Sequence, residues 1–200
     1  MSRSVHPIEA ESYRIIRATV DTAGLGRRGR DVVERVVHTT ADPGWRDDLV
    51  LAEAHLEAGV TALAAGAPLV VDVSMVAAGI TAYPSVCLVA SPQAASLAAA
   101  DGLTRCAAAV RLAARQAPDG AVWAIGNAPT ALAELLRLAH HGLVRPALVV
   151  GLPVGYVGAA ETKARLRGTD LPQLSNVSAR GGSAVAAAAV NALLYGDPLA

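Results

Sequence analysis

The stretch "AVWAIGNAPTALAE" (121–134) decides the fold. Its first six residues form a continuous apolar run, the mark of a short strand buried on both faces. Gly126 ends the run, Asn127, Pro129 and Thr130 make a turn, and helical sequence follows from Ala131. A buried strand turning directly into a helix is the repeating unit of α/β proteins. Nucleotide-binding members of that class put several glycines at this turn, so that the backbone wraps a phosphate. This chain puts Asn127, Pro129 and Thr130 there, and a different ligand is implied.

Working outward, four more β-rich runs lead into helical sequence: "LVVDV" (69–73), "SVCLVA" (85–90), "ALVVG" (147–151) and the weaker "QLSNV" (173–177). Strands alternating with helices require right-handed crossovers and a parallel sheet. The expectation is one domain over residues 1–200, a doubly wound, flavodoxin-like α/β fold. Its mainly parallel sheet has five strands and helices on both faces, after a helical N-terminal segment. In that segment Ile8, Ser12, Ile15, Ile16 and Thr19 share one helical stripe, Asp31 to His38 make a second helix, and a third runs from about Asp48 to Leu63. Ligands of such sheets bind at the carboxyl ends of the strands. That directs attention to 72–75, 126–130 and 151–158.

Composition narrows the class. Seventeen basic and seventeen acidic residues cancel, which argues against broad electrostatic capture of nucleic acid or an anionic membrane. The chain has no Phe, so Ala, Val and Leu must fill the core. Cys87 and Cys106 form no metal or disulfide pattern and fit a reducing cytosol. The opening "MSRSVHPIEAESYR" lacks the apolar centre of a signal peptide. The uncharged region 73–100 is broken by Pro84, Pro92 and Gln93, so it reads as strand, turn and helix rather than a membrane span. A soluble, cytoplasmic protein is expected.

Several strand-end and helix residues admit two readings. In "GLPVGYVGAAETK" (151–163), Gly151, Gly155 and Gly158 either permit a tight turn or form a floor of small residues under a flat ligand. Their spacing is neither the dinucleotide fingerprint nor the phosphate loop. Asn127 either caps the helix containing Pro129 or faces the ligand. Thr104 is placed to cap "RCAAAVRLAARQ", leaving Arg105 in the first turn, where a cation opposes the helix dipole. Arg105 is then a solvated side chain or half of a carboxylate site. On "DVVERVVH", Val32, Val33, Val36 and Val37 make the buried face and Asp31, Glu34, Arg35 and His38 the opposite one. His38 is a surface histidine or an acid–base group in a cleft, and Arg35, one turn earlier, can hold an anion beside it. His6, His55, His140 and His141 show no metal-ligand spacing.

These stretches, with "PIEAESYRIIR" (7–17), "ERVVHTTAD" (34–42), "PLVVDVSMVAAGI" (68–80), "GLTRCAAAVRLA" (102–113) and "RGGSAVAAAAVNALL" (180–194), resemble the precorrin-8X methylmutases, or precorrin isomerases, of cobalamin biosynthesis. The likeness runs in order over almost the whole chain. It implies an isomerase that moves a methyl group from C-11 to C-12 of a corrin-type macrocycle, formally a 1,5-sigmatropic shift. The product would be hydrogenobyrinate or its cobalt-containing equivalent. Such a reaction conserves atoms and electrons, so it implies no redox cofactor, nucleotide, methyl donor or metal. The resemblance places the catalytic histidine on His38. Substrate contacts fall on Ser12, Arg35, Thr104 and Arg105, with Asn127, Gly155 and Ser183 as further lining residues. It also implies a homodimer. Cys106 stands where the family commonly has Ser, and Arg180 stands one place later than the family's arginine. A non-catalytic corrinoid carrier and a nucleotide-dependent α/β enzyme are the competing readings.

Overall fold

From Leu69 onward the chain alternates strand and helix, as its apolar runs predict. A computed structural model describes residues 5–199, so the first four residues of the stretch read above for a signal peptide lie outside it. Helices α1 (Pro7–Thr19), α2 (Arg27–Thr40) and the short α3 (Trp45–Asp48) precede strand β1 (Leu49–Leu51) and α4 (Glu53–Ala64). The alternating part comprises β2 (Leu69–Val71), α5 (Ser74–Gly79), β3 (Ser85–Val86), α6 (Pro92–Asp101), α7 (Arg105–Gln116) and β4 (Val122–Ile125). It continues through α8 (Pro129–His140), β5 (Leu148–Gly151), α9 (Ala159–Arg167), β6 (Gln173–Asn176) and α10 (Ser183–Tyr195).

The sheet has six strands in the order β1-β6-β5-β4-β2-β3, one more than the sequence reading predicts. Strands β2 to β6 are mutually parallel, whereas β1 runs antiparallel to β6 along the edge. The extra strand takes residues expected to begin a long helix. Asp48 explains the change, because its carboxylate accepts hydrogen bonds from the Val177 and Ser178 N–H groups and from the Asn176 amide. That anchor draws "LVL" against the sheet edge, and the helix starts only at Glu53.

Side chains alternate along the strands and build two cores. Leu69, Val71, Val122, Ala124, Leu148 and Val150 meet the layer that contains α2, α4, α5 and α10. Val70, Trp123, Ile125 and Val149 meet α7, α8 and α9 on the other side. Among the described residues no helix is long and apolar enough to cross a membrane.

The face of α2 read as solvent-facing is covered. Asp31, Glu34 and Arg35 are buried alongside the valines. Their cover is α1 and the C-terminal tail: Arg17 of α1 donates to both carboxylate oxygens of Glu34 and reaches Asp197 at 2.6 Å. The short amphipathic pattern of α2 shows one core face and cannot reveal a second partner. Asp31 bears the consequence, since neither of its carboxylate oxygens has a hydrogen-bond partner among the described residues. Burial, reinforced by Asp197 and opposed by Arg30, Arg27 and Arg28, pushes its carboxyl up to about 6. The folded chain therefore binds the extra proton between roughly pH 4 and 6. The stability this group contributes is present below that window and is lost as pH rises through it. We expect Asp31→Asn to raise stability at pH 7 by about 1–3 kcal/mol and to flatten the pH dependence of the urea midpoint between roughly pH 4 and 6. A variant no more stable than the parent at pH 7 would contradict this account.

Candidate active site

The carboxyl end of the sheet is organised by Asp72, which follows β2. Strands β2 and β4 are neighbours, while the chain leaves β2 outward to β3 before returning on its other side. This is the topological switch point, where doubly wound sheets open a crevice. Here Asp72, fully buried, accepts hydrogen bonds from the backbone N–H groups of Gly126, Asn127 and Ala128 at 3.0, 2.8 and 2.8 Å. These donors sit at the N-terminus of α8, the place where a nucleotide-binding fold holds phosphate. The chain's own carboxylate occupies it. Burial, the larger effect, holds the Asp72 carboxyl above its ordinary range, and the three donors pull the other way. Nothing in the local sequence marked Asp72 as the capping anion, because its donors lie 54 to 56 residues away.

With Asp72 capping α8, Asn127 is not needed as the cap. Its side chain is exposed, and α8 has no side-chain cap from its own N-cap residue. Thr104 does cap α7, accepting from the Ala107 N–H at 3.2 Å, and its hydroxyl lies 2.7 Å from that of Thr130. Arg105 is exposed in the first turn of α7. Cys106 is half-buried, and burial raises its thiol above the ordinary range.

A second polar device fixes the loop after β6. Lys163, fully buried, donates to Asn176 Oδ1, the Ser178 carbonyl and the Arg180 carbonyl at 2.6–2.7 Å. Burial lowers its ammonium to about 8, and the three acceptors take one proton each. So held, the loop lies against β5's end: Gly182 N–H donates to the Leu152 carbonyl, and Gly155 N–H to the Ala179 carbonyl. Gly181 has a φ of +157°, and any Cβ there would strike the Leu152 and Pro153 carbonyl oxygens. Ser183 then begins α10, buried next to Gly126. The displaced Arg180 has a local role: its guanidinium stacks over Trp45, 4.3 Å from the ring centroid, and pairs with Asp42. This pair also brings the C-terminal end of α2 to the carboxyl end of the sheet.

His38 occupies the last turn of α2, half-buried. Its Nδ1 lies 2.7 Å from Ser12 Oγ on α1. Its ring stacks on Tyr13, with centroids 5.0 Å apart and planes inclined by 19°. Glu34 is committed to Arg17 and Asp31 is buried beside the tail, so the two carboxylates on the helix face of His38 are directed elsewhere. Arg35 is buried, its guanidinium 5.9 Å from the Tyr13 ring and 5.6 Å from the Tyr195 ring. Its Nε and Nη2 have no hydrogen-bond partner among the described residues. Ser12 and His38 line a cavity of about 670 Å³ whose walls include Ile8, Ile15, Val20 and Pro43. All five residues of the α1 stripe, Ile8, Ser12, Ile15, Ile16 and Thr19, border this groove, and Ile8 and Ile15 are 75% and 56% exposed, outside the core.

The predicted residues thus fall into two groups at one end of the molecule. Ser12, Arg35 and His38 come together between α1 and α2. Asn127, Gly155 and Ser183 belong to the segments that follow β4, β5 and β6, and Thr104 and Arg105 to the junction between α6 and α7. No hydrogen bond or ion pair joins the groups directly among the described residues. Thr104 lines a separate cavity of about 400 Å³ with Thr130 and Arg165.

A switch-point crevice already filled by the chain's own anion, together with a histidine in a separate apolar groove, describes an α/β enzyme for a bulky organic ligand rather than for a nucleotide. The chain belongs to the precorrin-8X methylmutase family, isomerases of cobalamin biosynthesis, whose model matches residues 7–196. It is 40% identical over 199 residues to the precorrin-8X methylmutase of Pseudomonas aeruginosa, covering 96% of this chain and 95% of that protein. It is 39% identical over 191 residues to the cobalt-precorrin-8 methylmutase of Methanothermobacter thermautotrophicus, covering 94% and 92%. The crystal structure of the precorrin-8X methyl mutase of Thermus thermophilus matches with a TM-score of 0.86 at 35% identity, over 94% of this chain and 93% of that one.

Proposed function

We propose that this chain is a single, cytoplasmic domain that converts precorrin-8X, or its cobalt-containing counterpart, by moving the C-11 methyl group to C-12. His38 is the proton donor. The observation that carries the reading is the Ser12–His38 pair opening on an apolar groove. When the Ser12 hydroxyl donates to Nδ1, the neutral imidazole carries its hydrogen on Nε2. In that form Nε2–H gives the macrocycle a hydrogen bond; full proton transfer starts instead from the imidazolium, whose Nδ1–H donates to Ser12 Oγ and whose Nε2 proton passes to the macrocycle, leaving His38 neutral. A proton lent to the conjugated ring lowers the energy of an electron-poor methyl migration and returns to His38 afterwards. Substrate and product are isomers, so the balance closes without a cofactor.

Arg35 and Arg105 are the proposed partners of substrate carboxylates, with Ser12, Thr104, Asn127, Gly155 and Ser183 around the ring. The buried, unpaired Nε and Nη2 of Arg35 support its part, and the exposure of Arg105 and Asn127 supports theirs. We read the sheet as the flavodoxin-like variant, a reading supported by the order β3-β2-β4-β5-β6 of its parallel strands.

Incubation with precorrin-8 tests the function directly. The absorption spectrum should change to that of hydrogenobyrinate with no cofactor added. Tight binding without that change would favour a corrinoid carrier.

We further propose a homodimer with the substrate cleft at or near the interface. Support comes from the separation of the candidate residues into two groups and from apolar side chains left exposed beside them, Ile8, Ile15, Tyr156 and Val157. Light scattering at micromolar concentration should give twice the 20.3 kDa chain mass. A fully active monomer would overturn the shared cleft.

A further inference from the structure

We propose that Tyr13 is a positioning residue for His38, setting the plane in which the imidazole presents Nε2 to the groove; the proposal rests on His38 being the proton donor. Adjacent residues of α1 address one ring of α2 in two different directions. Ser12 Oγ meets Nδ1 at 2.7 Å, roughly along the edge of the imidazole. Tyr13 lies against its face, nearly parallel, at a centroid distance of 5.0 Å. A single hydrogen bond leaves an imidazole free to roll about the Nδ1–Oγ line, and rolling would swing Nε2 away from any fixed acceptor. A parallel ring against one face removes that freedom.

The support is itself rigid. Tyr13 is fully buried, so its ring has no solvent-side space to turn into. The Arg35 guanidinium lies 5.9 Å from the same ring and 5.6 Å from that of Tyr195. A cation over an aromatic face is attracted by the ring quadrupole. One tyrosine therefore ties the proton donor to a proposed carboxylate partner, so the two keep a fixed relation. Misplacing a reacting group by about 1 Å can cost on the order of a hundredfold in rate, which sets the size of effect to expect.

The test compares wild type, Tyr13→Phe and Tyr13→Leu. It uses steady-state conversion of precorrin-8 and NMR of the histidine rings, the His38 signals being assigned by their absence in His38→Ala. In wild type the His38 ring protons should resonate upfield of those of exposed histidines, because they lie over a tyrosine face. Tyr13→Phe should keep both this shift and kcat. Tyr13→Leu should lose the shift and about 10- to 100-fold in kcat, with KM within about a factor of three and product affinity unchanged. An unshifted His38 in wild type would overturn the proposal before any variant is made. So would a folded Tyr13→Leu with wild-type kcat, or a Tyr13→Phe as impaired as Tyr13→Leu. If Tyr13→Leu does not fold, the wild-type shift and the Tyr13→Phe result decide the matter. Wild-type protein that leaves precorrin-8 unchanged overturns the functional reading, while the NMR comparison still settles whether Tyr13 orients the ring.

Discussion

His38→Ala is expected to fold, to bind the corrinoid product with wild-type affinity, and to lose at least about a hundredfold in turnover. The size follows from positioned acid catalysis, which typically contributes ~10²–10⁴-fold. Retention of the fold follows from the site: His38 stands in the last turn of α2, half-buried, and its hydrogen bond is to Ser12. The groove walls come from Ile8, Ile15, Val20 and Pro43, which the substitution leaves in place. The measurement is kcat from the spectral change, with product affinity from an absorbance titration. Turnover close to wild type would mean that His38 only shapes the groove and that another donor drives the migration.

Asp72→Ala should have the largest effect on stability. The substitution removes the acceptor that serves the Gly126, Asn127 and Ala128 N–H groups together. An unpaired buried donor costs about 1–3 kcal/mol, and the three are not additive, so we expect a loss of about 3–5 kcal/mol. For a domain of this size that corresponds to a fall in Tm of roughly 6–20 °C. The buried Trp123 on β4 reports the transition by fluorescence. Asp72→Asn should fall between the two, because an amide offers one acceptor oxygen in place of two. A melting temperature unchanged in Asp72→Ala would show that water satisfies the α8 terminus and that the carboxylate is not its anchor.

Particular residues show what the sequence disclosed. Strands β2, β4 and β5 were legible because apolar runs such as "LVVDV" and "ALVVG" must be buried on both faces, whereas the run read at 85–90 forms only the half-buried Ser85–Val86 at the sheet edge. Strand β1 was not legible, since "LVL" fits a helix start equally well and only the distant loop at 176–178 pulls it to the edge. Thr104 was readable as a cap because capping is local, and the structure shows the bond. Asp72 and Lys163 escaped notice because their partners are far along the chain or on another element. The Ser12–His38 and Tyr13–His38 contacts also span two helices. Helix periodicity singled out His38 and the family resemblance added Ser12 as a substrate contact, and only the packing of α1 on α2 showed that they touch. The buried face of α2 was missed for the same reason: periodicity counts apolar residues, whereas that face is closed by charge pairs such as Arg17–Glu34.

The Ala-rich α10 gives the protein an unusual mutational profile. Ala186, Ala187, Ala188 and Ala189 are all buried. A Cβ on Gly79 would come within 2.6 Å of Ala187 Cβ, and one on Gly126 within 2.8 Å of Ala186 Cβ. Cores rich in Leu and Phe are most vulnerable to losing volume. Here each residue has almost nothing to lose, and the vulnerability runs toward gaining it: Ala→Val or Gly→Ala along this seam forces backbone apart, at a typical cost of about 1–3 kcal/mol. Random mutagenesis of residues 183–195 should therefore recover many neutral Ala→Ser changes and few enlargements. Drift in this helix is confined to a narrow band of side-chain sizes, and the helices packed on it can change only where they do not face the seam.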